Sequence, residues 1–332
     1  MPTDQELMQL RDRIYAWAKL FRCEGITPTK TPDKCGESNG GNGVGDSILF
    51  SAVLYYSGEL WARSNILESK DDQGGMWRSP QRRRTQIDGS WGNSRFSQDH
   101  MLGVLLWLVT EHKRDPESAR SFANHWCSWM ENHLSQNEFS LCRWDWSDPA
   151  AMDSCALEGT VFGARGAMIR RVFDHIGANS PRRRIRVGGV IPTWSSYRLG
   201  DGRDAHDYLG YLSTICSFAP DRGSMFNCHL LSVAALIFQE TGDDQRINLD
   251  EGFRNNPFTM WVNNGRSSSD EIRQTAYNRC LEATLSHEAN TNAHDQWMWE
   301  RSDFERDGLG RRVSHNSFGW DCIAMLNLLL RQ

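Results

Sequence analysis

Lysine is nearly missing from this 332-residue chain: 5 lysines stand against 32 arginines. Long apolar runs are missing too. No stretch reaches the roughly 18 residues that a membrane-spanning helix needs, and the longest, Met101–Val109 and Ser232–Phe238, suit buried helices. The opening Met1-Pro-Thr-Asp-Gln-Glu is acidic and has no apolar core, so no secretory signal is expected, and a cytoplasmic or virion-associated protein with no membrane partner is. The nine cysteines are irregularly spaced with no C-x-x-C, which argues against a zinc ribbon and a disulfide framework and for mostly reduced, buried thiols. No G-x-S-x-G elbow, P-loop or Rossmann fingerprint occurs, so nucleotide-driven chemistry is not expected. A formal charge of −5 argues against general nucleic-acid binding. The two basic runs, Arg82–Arg84 and Arg182–Arg186, read as solvated loop. Strand-like alternation is almost absent, Arg186–Ile191 being the one candidate.

What the chain has instead is helical periodicity and tryptophan, 14 in all. Apolar stripes mark helices over Asp4–Phe21, Ile48–Leu60, Met101–Thr110, Ser118–His133, Glu158–Ile176, His206–Phe218, Phe226–Thr241, Ile272–Leu285 and Ser317–Leu330. Long loops rich in Gly and Trp join them, and no Pro/Gly/Ser linker divides the chain, so one domain over residues 1–332 is expected. Several strongly apolar helices begin with polar residues after such a loop. Helices apolar all round belong inside and amphipathic ones outside. Alternation of the two predicts an all-α, single-domain α/α toroid whose loops gather polar residues into a bowl at one end.

Helix-start carboxylates Asp46, Asp99, Glu158 and Asp321 would share that end. Glycoside hydrolysis needs two carboxyl groups, an acid and a base or nucleophile; Asp46 and Asp99 are the expected pair, with Asp321 able to replace either. Each also fits a plain N-cap. Trp77, Trp297 and Trp299 lie in polar contexts where indole faces can stack on sugar rings; His100 and His229 at helix starts and Glu300 in the Trp-bearing stretch are further expected substrate-binding residues. Arg78 and Arg95 would hold a carboxylate, which predicts an anionic polysaccharide or oligosaccharide. On a uronate, β-elimination becomes an alternative, with His206 as base and Tyr208 as acid.

The Trp-bearing loops Trp77-Arg78-Ser79-Pro80 and Gln296-Trp297-Met298-Trp299-Glu300-Arg301, with the polar-capped buried helices, resemble the α/α toroid group of glycan-active proteins, which includes six-hairpin glycosidases and polysaccharide lyases. The resemblance is one of architecture, and no glycosidase signature matches residue by residue. Ser94-Arg95-Phe96-Ser97-Gln98-Asp99 and His315 to Asp321 are also similar to uncharacterised phage and bacterial proteins, which implies no activity. The resemblance implies a glycan-cleaving enzyme, or a non-catalytic module that holds a glycan or protein partner in the same bowl. No cofactor or metal is expected. Cys228-His229 looks like the zinc-binding pair of lanthionine cyclases, also α/α toroids, but Cys280 or Cys322 would have to supply a third ligand and the Gly-rich context is missing.

Overall fold

The computed structural model describes residues 1–29, 47–85, 96–135, 164–180, 182–187, 193–198, 204–217, 226–246, 255–289, 297–300 and 317–331. It is mostly helical. In chain order the helices are α1 (Asp4–Ala18), α2 (Ser47–Ser57), α3 (Ala62–Glu68), α4 (Pro80–Thr85), α5 (Gln98–Arg114), α6 (Pro116–Ser135), α7 (Ala164–Ile176), α8 (Ala205–Ser217), α9 (Phe226–Glu240), α10 (Pro257–Asn263), α11 (Asp270–Ala289) and α12 (Trp320–Leu330). Single 3-10 turns lie at Lys19–Phe21 and Met298–Glu300. Among the described residues no helix is long and apolar enough to cross a membrane.

Local chemistry accounts for the helix starts. Thr3-Asp4-Gln5-Glu6 forms a capping box: the Glu6 amide donates to the Thr3 hydroxyl at 3.2 Å and the Thr3 amide to the Glu6 carboxylate at 2.7 Å. Asn256 caps α10 by accepting from the amides of Phe258 and Thr259, ahead of Pro257 at the first helical position.

Burial sorts the helices into two layers. α2, α5, α9 and α12 are buried nearly all round, whereas α1, α6, α7, α8 and α11 bury only a stripe. The four buried helices pack side by side in the order α12, α2, α5, α9. They run parallel, because both sets of ends meet. At the end where they start, here the head, Phe50 of α2 lies 5.4 Å from Phe318, just before α12, and 4.7 Å from Trp297, which is 5.9 Å from His229 of α9. At the other end, the foot, the Tyr55 hydroxyl of α2 donates to Glu111 of α5 at 2.5 Å, and Tyr56 to Glu240 of α9 at 2.7 Å. Asn327 of α12 donates to Glu59, just past α2, at 2.9 Å. The amphipathic helices cover this layer: α1 packs on α12 and α11, α3 on α2, α6 on α5 and α7, and α8 on α7 and α9.

Buried carboxylates at the foot sit where the helix dipoles are negative, and cations offset them. Arg63 forks onto Glu111 at 2.9 and 2.5 Å, and Lys113 and Arg266 pair with Glu240. Burial works against ionisation of Glu111 and Glu240, but these partners hold both below the usual carboxylate range.

Several sequence expectations are corrected here. The segment expected as loop with a strand at Arg186–Ile191 forms an antiparallel hairpin of strands Arg182–Val187 and Thr193–Arg198, in register from Arg182↔Arg198 to Val187↔Thr193. The arginine run masked the β-branched Ile185 and Val187, and a two-stranded pairing leaves little periodicity to read. Arg82–Arg84 are helical, and Arg82 is buried. The thiol expectation fails for Cys216 and Cys228, whose disulfide ties the end of α8 to the start of α9 with Cα atoms 5.3 Å apart, and for Cys23, which is also disulfide-bonded. Cys127, Cys280 and Cys322 are free and buried.

The α2–α5 contact depends on Gly103. A Cβ there would lie 2.9 Å from the Cα and the amide nitrogen of Leu49, backbone atoms that cannot swing aside. Gly103→Val is expected to destabilise the fold by up to about 3 kcal/mol, the upper range for overpacking. An unchanged urea midpoint would show that the two helices can separate freely.

Candidate functional site

The head collects most of the predicted site residues. Asp99 and His100 open α5; the Ser97 hydroxyl donates to the Asp99 carboxylate and lies 2.5 Å from His100 Nδ1. Asp99 keeps 6% exposure and His100 is fully buried. Ser47, at the start of α2, donates its hydroxyl to the Arg78 carbonyl at 2.9 Å, which places the Trp77-Arg78 segment at the same end. His229 lies in the first turn of α9, and Asp321 in the first turn of α12. Asp46, Arg95 and Glu158 lie outside the described residues.

The turn carrying Trp297, Trp299 and Glu300 is bracketed inward. Met298 N–H donates to Asp321 Oδ2 at 2.6 Å, Cys322 N–H to Asp321 Oδ1 at 2.8 Å, and the Ser317 hydroxyl to Oδ1. Trp299 Nε1 donates to the Asp321 carbonyl at 2.9 Å, and the Asn256 amide to the Trp299 carbonyl at 2.9 Å. Burial raises the Asp321 pKa to about 6 against these hydrogen bonds.

The expectation of open indole platforms is therefore corrected. Trp297 stacks on Phe50 with planes 8° apart and is fully buried, as is Trp299. Trp77 is buried as well, its Nε1 donating to Asp71 at 2.9 Å, so its ring pins a turn. Arg78 and Glu300 are buried rather than lining an open surface. Polar neighbours in sequence made these side chains look exposed; long-range bonds to Asp321, Asn256 and Ser47 turn them inward. Sequence reasoning places Ser47 and Ser317 only at helix starts and gives Asn256 no role, although the Asn256-Pro257 pair is a legible helix-start signal.

The structure matches no known family, curated protein or solved structure.

The lyase pair is not assembled. His206 opens α8 at the foot, with Nδ1 2.7 Å from Asp204 and Nε2 2.8 Å from Asp243, which follows α9. From His229 to Phe238, whose ring lies 4.8 Å from His206, α9 rises roughly 14 Å at 1.5 Å per residue. Tyr208 is fully buried two residues on, a spacing that does not share a helix face. A cleft of about 600 Å³ lies near the foot, lined by Arg170, Arg171, Asp174, His175, Asp204 and Thr241. The zinc-like pair is also broken up, since Cys228 is in the disulfide. No group of three His, Cys, Asp or Glu side chains suited to a metal occurs among the described residues.

Two outcomes test this geometry. Asp321→Ala removes the acceptor for Met298 N–H and Ser317, and should cost on the order of 3 kcal/mol in chemical denaturation; a loss well under 1 kcal/mol would deny the bracket. His206 has a pKa raised above 6.5, first by its hydrogen bond to Asp204, which desolvation opposes, and then by Asp243. Its contribution to stability is complete below pH 6.5 and fades as pH rises through the folded value. An NMR titration placing the imidazole at or below 6.5 would contradict the clamp.

Proposed function

We propose that this chain is an α/α toroid that takes a glycan at the head and hydrolyses it with Asp99 and Asp46. One observation carries the reading: four parallel apolar helices start at the same end, and Asp99, His100, His229, Glu300 and Asp321 all lie there. Converging helix N-termini favour negative charge, which supports a carboxylate and the charge that develops on a leaving oxygen. Asp99 is almost enclosed, at 6% exposure, yet not sealed. Asp46 immediately precedes Ser47 of α2. Asp321, bound by three donors, serves as the bracket of the 297–300 turn and not as acid or base.

A binding-only version of the same site is the second reading. The engagement of Asp321 favours it, because a carboxylate committed to holding structure is one fewer available for proton transfer.

The purified chain should be incubated with neutral and uronate polysaccharides while new reducing ends and the ultraviolet absorbance of unsaturated uronates are followed. Reducing ends without absorbance are expected. Asp99→Asn, which keeps an acceptor for Ser97, should lower that rate by about 100-fold or more without shifting the melting temperature, as befits a lost acid/base group. Wild-type rates in the variant would remove Asp99 from the mechanism. Binding without turnover would establish the binding-only reading, and absorbance would establish a lyase.

A further inference from the structure

We propose that His229 and Trp297 form the floor of this glycan site and receive an uncharged, hydroxyl-bearing sugar unit. The inference rests on the head being the glycan site and names the substrate class it takes.

Both side chains are fully buried, with ring centroids 5.9 Å apart at 54°. Neither ring nitrogen of His229 nor Nε1 of Trp297 has a hydrogen-bond partner among the described residues. Aromatic rings surround them: Phe258 lies 5.4 Å from His229, and Phe50 and Phe318 lie 4.7 and 5.6 Å from Trp297. Buried polar side chains are nearly always paired, so an imidazole with both nitrogens unpaired needs an explanation. Phenylalanine would fill that space with no such cost. A partner that arrives from outside accounts for a histidine there.

The donor count then identifies the partner. A neutral imidazole offers one donor and one acceptor, and the indole adds one donor. Burial keeps the His229 ring uncharged, its pKa lowered to about 3. A carboxylate, phosphate or sulfate only accepts, so it would leave the bare imidazole nitrogen unpaired and would meet no cation among these rings. An ammonium only donates and would leave both N–H groups unpaired. Hydroxyl groups donate and accept, and so satisfy all three nitrogens. The anionic substrate predicted from Arg78 and Arg95 gives way, at this floor, to a neutral one.

The test uses the full chain titrated calorimetrically with hexamers of glucose, xylose and N-acetylglucosamine, and with oligogalacturonate. A neutral hexamer should bind. His229→Phe should melt no lower than wild type, because it removes two unpaired nitrogens, yet weaken that hexamer by about tenfold or more, a difference of ~1.4 kcal/mol. Trp297→Phe keeps a ring on Phe50, removes only the indole N–H, and should also weaken it. His229→Gln, which restores a donor and an acceptor, should recover part of the loss. Unchanged neutral-sugar binding in folded His229→Phe and Trp297→Phe would overturn the inference and leave the glycan site standing, as would binding of oligogalacturonate alone. If wild type binds none of the four, the glycan reading falls and this inference with it.

Discussion

The parallel alignment of α2, α5, α9 and α12 is the constraint from which the rest follows. Parallel helices side by side stack their dipoles in the same sense, leaving a positive head and a negative foot. They also force the chain back along the outside between successive inner helices. The outer helices do that work, with α8 returning from the foot to be tied by Cys216 to Cys228 at the head of α9. The charge consequences are met separately at each end. Asp99 and Asp321 stand at the positive head, and Arg63, Lys113 and Arg266 meet Glu111 and Glu240 at the foot.

The two ends differ in how their polar groups are met. At the foot, charged side chains are spent on one another, and the tyrosines feel it: burial and Glu111 together push Tyr55 up to about 12. At the head, some polar groups close the structure and others do not. Asp321 gathers a hydroxyl and two amides onto one carboxylate, which holds the Trp297–Glu300 turn against α9, α10 and α12. With that turn fixed, Trp297 is laid on Phe50 and beside His229.

Helix faces were legible in the sequence because burial on a helix repeats with its pitch. Leu7, Leu10, Ile14, Trp17 and Ala18 of α1 and the continuous apolar run of α5 read correctly. So did the gathering of Asp99, His229 and Asp321 at helix starts. The exposure of tryptophan was not legible. Met298 and Trp299 are neighbours of Gln296 and Glu300 in sequence, but their bonding partner Asp321 is more than twenty residues away. The disulfide escaped for a similar reason: Cys216 and Cys228 sit on two helices, and only the antiparallel return of α8 onto α9 brings them together. His206 had the right chemistry for a base but the wrong end of the molecule, since residue type says nothing about which way a helix runs.

Magnitudes separate His229 from the unpaired indoles. Trp107 and Trp261 each bury an indole nitrogen without a partner among the described residues. A tryptophan buries roughly 150–250 Å², which at about 25 cal/mol/Å² contributes some 4–6 kcal/mol. That exceeds the roughly 1–3 kcal/mol cost of one unsatisfied donor, so such a residue stabilises the fold even with its N–H unpaired. An imidazole has far less apolar surface and here leaves two nitrogens unsatisfied, so the balance reverses sign. Folding alone gives no reason for histidine at position 229. Its place in the first turn of α9, beside Trp297 at the positive head, is what the proposed sugar site would explain: under that proposal the two nitrogens wait for a ligand.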